Sequence, residues 1–189
     1  AQQLYGDRQW KLAPHDALDK LMEFFAARLR NYFMSQGQDT LLVDAALGAG
    51  AEDVKDCGAR LAALAAFSQT ADYEPAVQTF KRVANILRKQ GQAEELSDHW
   101  DPALLREDAE KALASTLEEM LPRLDALWAA HDHAAALACL SAVRPAVDAF
   151  FAGVMVMCDD ADLRRNRLSM LRGLGSRFAR LADFSALQM

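Results

Sequence analysis

Paired cysteines are the first thing this sequence lacks. Its 3 cysteines, Cys57, Cys139 and Cys158, are odd in number, scattered and free of any Cys-x-x-Cys spacing. That argues against a disulfide scaffold or a cysteine-built zinc site, and a reducing cytoplasm is the expected compartment. Proline and glycine are also scarce, at 5 and 9 in 189 residues. Both penalise helix, so their scarcity beside abundant alanine and leucine predicts helix rather than turn-rich β structure. No β-branched run alternates with period two, which leaves no candidate strand. No apolar stretch is read as reaching the ~18 residues of a membrane span, and no basic-then-apolar start resembles a signal peptide. No membrane association is expected. The chain opens on Ala1 and is read as a piece of something longer.

Positive charge is the next shortfall. Lysine and arginine number 21 against 27 acidic residues, a formal charge of -6. Nucleic-acid binders are ordinarily basic, so an RNA role here has to rest on local clustering of cations. Catalytic groupings are missing too. His131 and His133 lie two apart, so on a helix they diverge, and a helical metal pair needs a spacing of three or four. His15-Asp16 and His131-Asp132 have no further ligands legible nearby, so no metal site and no catalytic residue is assigned. Gly48-Ala49-Gly50 is too short for a phosphate loop and follows no strand. No serine stands in a Gly-x-Ser-x-Gly setting. The acidic residues Asp159, Asp160 and Asp162 are read as caps of the helix after them, where carboxylates satisfy free N–H groups and meet the helix dipole.

What is present is helical periodicity. Leu18, Leu21, Met22, Phe25, Leu29 and Phe33 form one inward stripe, ended by Gly37. Further helices are predicted over residues 39–47, 53–67 and 73–91, the last burying Ala76, Phe80, Val83, Ala84 and Leu87. A long helix carries Leu113, Leu117, Met120, Leu121, Leu124, Leu127 and Trp128, with Pro122 as a bend. A sixth runs over residues 132–143, after which Pro145 starts a new helical turn through Phe150 and Phe151. Residues 154–157 are a short apolar connector. The last helix groups Leu168, Leu171, Leu174, Phe178 and Leu181, and Gly173-Leu174-Gly175 inside it allows close helix contact. The reading is all-α, a bundle of about six to eight helices over residues 14–189 behind a linker over residues 1–13.

Three patches combine cations with amides. The fourth helix carries Lys81, Arg82, Asn85, Arg88 and Lys89; the first carries Arg28, Arg30, Asn31 and Tyr32; the last carries Arg164, Arg165, Asn166 and Arg167. Fixed cations suit phosphates, while amides and rings suit bases. A solvated helix face explains the charges equally well. Asn85 and Asn166 have two readings, hydrogen bonds to bases or to backbone carbonyls inside the bundle, and Tyr32 is either a stacking platform or half-buried core.

The order of several blocks adds a resemblance. Lys81-Arg82-Val83-Ala84-Asn85-Ile86-Leu87-Arg88-Lys89 resembles the KR-x-x-NIL-x-K segment of bacterial glycyl-tRNA synthetase beta subunits. Arg28-Leu29-Arg30-Asn31-Tyr32 resembles their RL-(K/R)-NY segment, and Val43-Asp44-Ala45-Ala46-Leu47 their IDAVL. The stretch from Pro145 to Phe151, the connector from Val154 to Met157 and Leu163-Arg164-Arg165-Asn166-Arg167-Leu168 are similar to their C-terminal block, and Ala182-Asp183-Phe184-Ser185-Ala186-Leu187-Gln188 to the chain end, ADISLLQ. Gly173 and Gly175 depart from the pattern, at about 1 kcal/mol of helix propensity each, and the tract from Gln69 to Pro75 is less typical.

The resemblance implies a helical anticodon-binding domain of the type shared with arginyl-tRNA synthetase. It implies glycine tRNA, the synthetase alpha subunit and the remainder of the beta subunit as partners. It places the joining of ATP and glycine in the alpha subunit, with ATP and magnesium belonging to the holoenzyme and no cofactor to this domain. The expected RNA contacts are Arg28, Lys81, Arg82 and Arg88 on phosphates, Asn31, Asn85 and Asn166 on bases, Tyr32 as a stacking ring, and Arg167 in the same set. The alternative is a helical protein-interaction module without RNA contact.

Overall fold

The computed structural model describes residues 13–90 and 96–187. Among these residues there are seven α-helices and no strand: α1 (Pro14–Ser35), α2 (Thr40–Gly48), α3 (Val54–Phe67), α4 (Tyr73–Gln90), α5 (Asp108–Ala129), α6 (His133–Gly153) and α7 (Ala161–Phe178). Short 3-10 turns at Pro102–Leu104 and Phe184–Ala186 complete the order. The linker expected over residues 1–13 lies, Ala13 apart, outside the described residues, as does Gly91.

Aspartate starts four of the helices. Asp39, Asp53, Asp132 and Asp160 each cap the following helix by accepting a backbone N–H, worth about 1 kcal/mol apiece. Asp160 confirms the capping role read for the acidic run, taking the Leu163 N–H at 3.1 Å. Asp159 and Asp162 do not share that bond.

α5 and α6 pack as an antiparallel pair, α3 lies against α6, and α4 is held between α6, α7 and the C-terminal 3-10 turn. At that last junction Phe80, Phe178 and Phe184 form a closed ring triangle with centroids 5.0 to 5.6 Å apart, and all three are buried. The two α7 glycines explain themselves here. A Cβ on Gly173 would stand 3.0 Å from the Asp98 carbonyl oxygen, and one on Gly175 would stand 2.5 Å from a Leu87 methyl. Close approach is the use to which the missing side chains are put, offsetting the propensity they cost.

Two sequence-based expectations change. Pro145 does not begin a new element; it sits inside a continuous α6, as Pro122 sits inside α5. Proline removes one helical hydrogen bond, and burial of Leu140, Val143, Val147 and Phe150 on both sides of Pro145 outweighs that loss. The stripe on α1 is also only half inward. Phe33 packs on the core, whereas Leu18, Leu21 and Phe25 remain 56%, 48% and 49% exposed, because α1 has α2 as its main neighbour. α6 is long and apolar enough by length and composition to cross a membrane, yet its apolar side packs on α3, α4 and α5, as expected of a core helix.

Candidate nucleic-acid interface

Which cations are left without a negative partner separates the three basic patches. On α7 the positive charge is consumed internally. Arg165 pairs with Asp162 at 2.6 Å, Arg172 with Asp98 at 3.2 Å and Arg177 with Asp125 at 3.2 Å. Arg167 pairs with Glu110 and donates a second bond to the Met155 carbonyl at 2.9 Å. It is only 4% exposed. Arg164 donates to the Cys158 carbonyl at 2.9 Å.

Asn166 is equally committed. Its amide takes the Asp101 N–H at 2.6 Å and donates to the Asp101 carbonyl at 3.0 Å, with 6% of its surface exposed. It pins the segment before α5 against α7. Of the two readings open for Asn166, the internal one is realised. Asn166 and Arg167 therefore leave the expected RNA set, because their donors and acceptors are spent inside the bundle. Asn166→Ala would orphan the Asp101 N–H and carbonyl together. A loss of about 1–3 kcal/mol is expected, read as a melting point lower by several degrees, with tRNA binding unchanged at temperatures where the variant is folded.

α4 behaves in the opposite way. Its apolar side, Ala76, Val77, Phe80 and Val83, is buried, and this fixes the opposite side toward solvent. Among the described residues no carboxylate pairs with Arg82, Arg88 or Lys89, and all three are exposed. Arg82 lies over the Phe151 ring at 4.0 Å, a cation–π seat that orients the guanidinium without neutralising it. Arg88 donates to the Asn85 Oδ1 at 3.0 Å. Residues 82, 85 and 88/89 follow helical neighbour spacing, so these groups make one strip along the helix. Lys81 departs from it: its ammonium donates to the Leu187 carbonyl and ties α4 to the C-terminal segment, so it is removed from the free strip.

On α1, Arg30 is held by Asp44 of α2 in a two-point ion pair, at 2.5 and 3.0 Å. Arg28 has no carboxylate partner among the described residues and sits over the Phe24 ring at 4.5 Å. Arg28 and Tyr32 line one cleft of about 460 Å3 with Met22, Phe25, Leu29 and Val54. Tyr32 is 57% exposed, an open ring rather than half-buried core. Asn31 is exposed beside it. α2 and the 3-10 turn at Phe184–Ala186 lie between α1 and α4 in the packing order.

A helical bundle that spends its α7 arginines on internal carboxylates, while α4 keeps a strip of unneutralised cations, defines a helical domain with a face suited to a polyanion. The chain belongs to the DALR anticodon binding domain family, whose pattern matches residues 77–182, from within α4 to just before the C-terminal turn. It is similar to the glycine–tRNA ligase beta subunit of Nitratidesulfovibrio vulgaris (strain Miyazaki F), at 61% identity over 98% of this chain and 28% of that protein. The beta subunit of Solidesulfovibrio magneticus is 50% identical over 98% of this chain and 27% of its own length. That of Shewanella pealeana is 40% identical over 100% and 27%. The chain thus spans about 28% of the length of the first of these relatives.

Proposed function

We propose that this domain grips the anticodon stem-loop of glycine tRNA as part of a glycine–tRNA ligase beta subunit. In that reading it supports aminoacylation in an alpha/beta assembly whose ATP, magnesium and glycine chemistry lies in the alpha subunit, and it works in the cytoplasm. The observation that carries the proposal is the unneutralised strip Arg82–Asn85–Arg88–Lys89 on α4. In a chain of net charge -6, a strip of cations left without carboxylates is free to meet an external anion. Arginine meets phosphate in a planar, two-point fashion. Arg82 and Arg88 would meet the backbone, Asn85 would offer its amide to a base, and Arg28 with Tyr32 would form a second contact, cation plus stacking ring.

Binding of labelled glycine tRNA at two salt concentrations tests this. If Arg28, Arg82, Arg88 and Lys89 each neutralise one phosphate, affinity should fall roughly a hundredfold between about 50 and 200 mM salt. Binding that ignores salt, or none at 50 mM with native helix content, overturns the proposal.

A second reading has its own observation. Leu18, Leu21, Phe24 and Phe25 leave roughly half their surface open along α1, more apolar surface than one helix of a monomer usually shows in one place. The chain matches only about a quarter of its relatives' length. The remainder of a beta subunit is the occupant this stripe suits, and docking there is compatible with RNA on α4.

A further inference from the structure

We propose that Asp56, His131 and His133 form a binding site for one borderline divalent cation of the zinc type, clasping α3 to the corner between α5 and α6. The two histidines do not diverge, because only His133 is helical. His131 precedes α6 in a left-handed backbone conformation, φ 55°, and its ring turns back to stand 6.0 Å from that of His133, edge to face. His131 Nδ1 and His133 Nε2 then converge on one oxygen of Asp56, each at 2.9 Å. The three ligand atoms lie within 4.8 Å of one another.

Zinc holds imidazole nitrogen and carboxylate oxygen at about 2.0–2.2 Å in a tetrahedron, so its ligand atoms stand roughly 3.3 Å apart. The two nitrogen–oxygen pairs, at 2.9 Å, would open by a few tenths of an ångström to admit the ion, and the two nitrogens, within 4.8 Å of each other, would settle to the same spacing. Two imidazoles and one carboxylate suit zinc, cobalt or nickel; magnesium and calcium prefer oxygen throughout. Three protein ligands leave the fourth position to water on the His131 side, which is 68% exposed.

The support around the site is that of a ligand set held in place. The second oxygen of Asp56 accepts Arg60 Nε at 2.8 Å. Arg60 is itself buried and anchored on the carbonyls of Ala46 at 2.6 Å and Leu181 at 3.1 Å, so it fixes the carboxylate as an outer-shell partner does. His133 is 4% exposed, and its Nδ1 is buried without a partner. With Nε2 on the ion, the ring's proton would sit on Nδ1, where no protein acceptor meets it among the described residues. Arg60 and the N-termini of α3 and α6 oppose a cation. Asp53 and Asp132, which cap those two helices, return negative charge beside it.

The test uses the whole metal-stripped chain titrated with Zn2+, Co2+ and Mg2+ separately. One Zn2+ per chain should bind and the melting temperature should climb with its concentration, while Mg2+ does neither. Co2+ should give the visible spectrum of a tetrahedral nitrogen–oxygen site without a thiolate charge-transfer band. His131→Ala and His131→Gln alter a mostly exposed side chain, and both should keep native helix content and lose more than about tenfold in Zn2+ affinity. Absence of stoichiometric Zn2+ binding overturns the site. So does unchanged affinity in the His131 variants, or a thiolate band pointing to a cysteine. None of these readouts involves tRNA, so the site stands or falls apart from the RNA reading.

Discussion

Glu110→Ala is expected to lower stability by about 3–5 kcal/mol, the cost of stranding a buried charge. Glu110 is fully buried. One carboxylate oxygen takes the Arg106 N–H at 2.6 Å and the Glu107 N–H at 2.9 Å, capping α5; the other takes Arg167. Alanine leaves two backbone donors and a guanidinium without their acceptor. At this chain length the melting point should fall by roughly 10 °C or more. Glu110→Gln keeps the shape and one acceptor oxygen and should lose less. Pairing Glu110→Leu with Arg167→Met removes both charges and should recover much of the loss, short of the two orphaned N–H groups. If Glu110→Ala melts within a degree of the parent chain, the pair is not holding α5 to α7.

The same carboxylate sets a pH dependence. Burial pushes the Glu110 carboxyl up; the Glu107 N–H, Arg167 and the Arg106 N–H outweigh it and hold it below the ordinary glutamate range. A lowered carboxyl contributes stability that is complete above the unfolded value, about 4.3, and is lost as pH falls through the lower folded value. The parent chain should therefore lose stability on acidification below about pH 4, and Glu110→Ala should show a flatter acid limb. Equal limbs would place the acid-sensitive group elsewhere.

The helices were legible because their signals are local. Apolar spacing marked the buried sides of α4, α5 and α7, and the acidic run before α7 marked its start. Three particulars were not legible, each for a tertiary reason. Pro145 looked like a boundary because its missing N–H is a local fact, while the burial of its neighbours that keeps α6 continuous comes from other helices. Asn166 and Arg167 looked like a surface patch because their partners, Asp101 and Glu110, lie 65 and 57 residues away. Two further carboxylates that neutralise α7, Asp98 and Asp125, are also distant in sequence, 74 and 52 residues from their partners; Asp162, three residues from Arg165, is the local exception. The histidine pair was dismissed on helical geometry, and two facts absent from local pattern reverse that. His131 is off the helix, and the carboxylate that both rings meet comes from α3, 75 residues upstream.

The RNA reading meets its hardest test in the double charge reversal Arg82→Glu with Arg88→Glu. Each guanidinium–phosphate contact is a charge-assisted hydrogen bond worth about 1.5–3 kcal/mol, so losing two should weaken tRNA binding at low salt by at least roughly a hundredfold. Reversal, unlike truncation, also sets like charge against the backbone. The salt dependence should flatten by about two counterions' worth of slope. Stability should move little, because both side chains are exposed and neither carries an ion pair among the described residues; the seat of Arg82 on Phe151 is given up, at about 0.5–1 kcal/mol, together with the exposed Arg88 bond to Asn85 Oδ1. Lys81 belongs outside this experiment. Its bond to the Leu187 carbonyl would mix a stability effect into the readout, and Lys81→Ala is expected to lower the melting point where Arg88→Ala does not. Arg28→Glu is the companion arm. Weakening by both would place the RNA across α1 and α4. Loss with Arg28→Glu alone would move the interface to the α1 cleft, and unchanged binding in both would leave the domain a protein-docking module with α1 as its contact face.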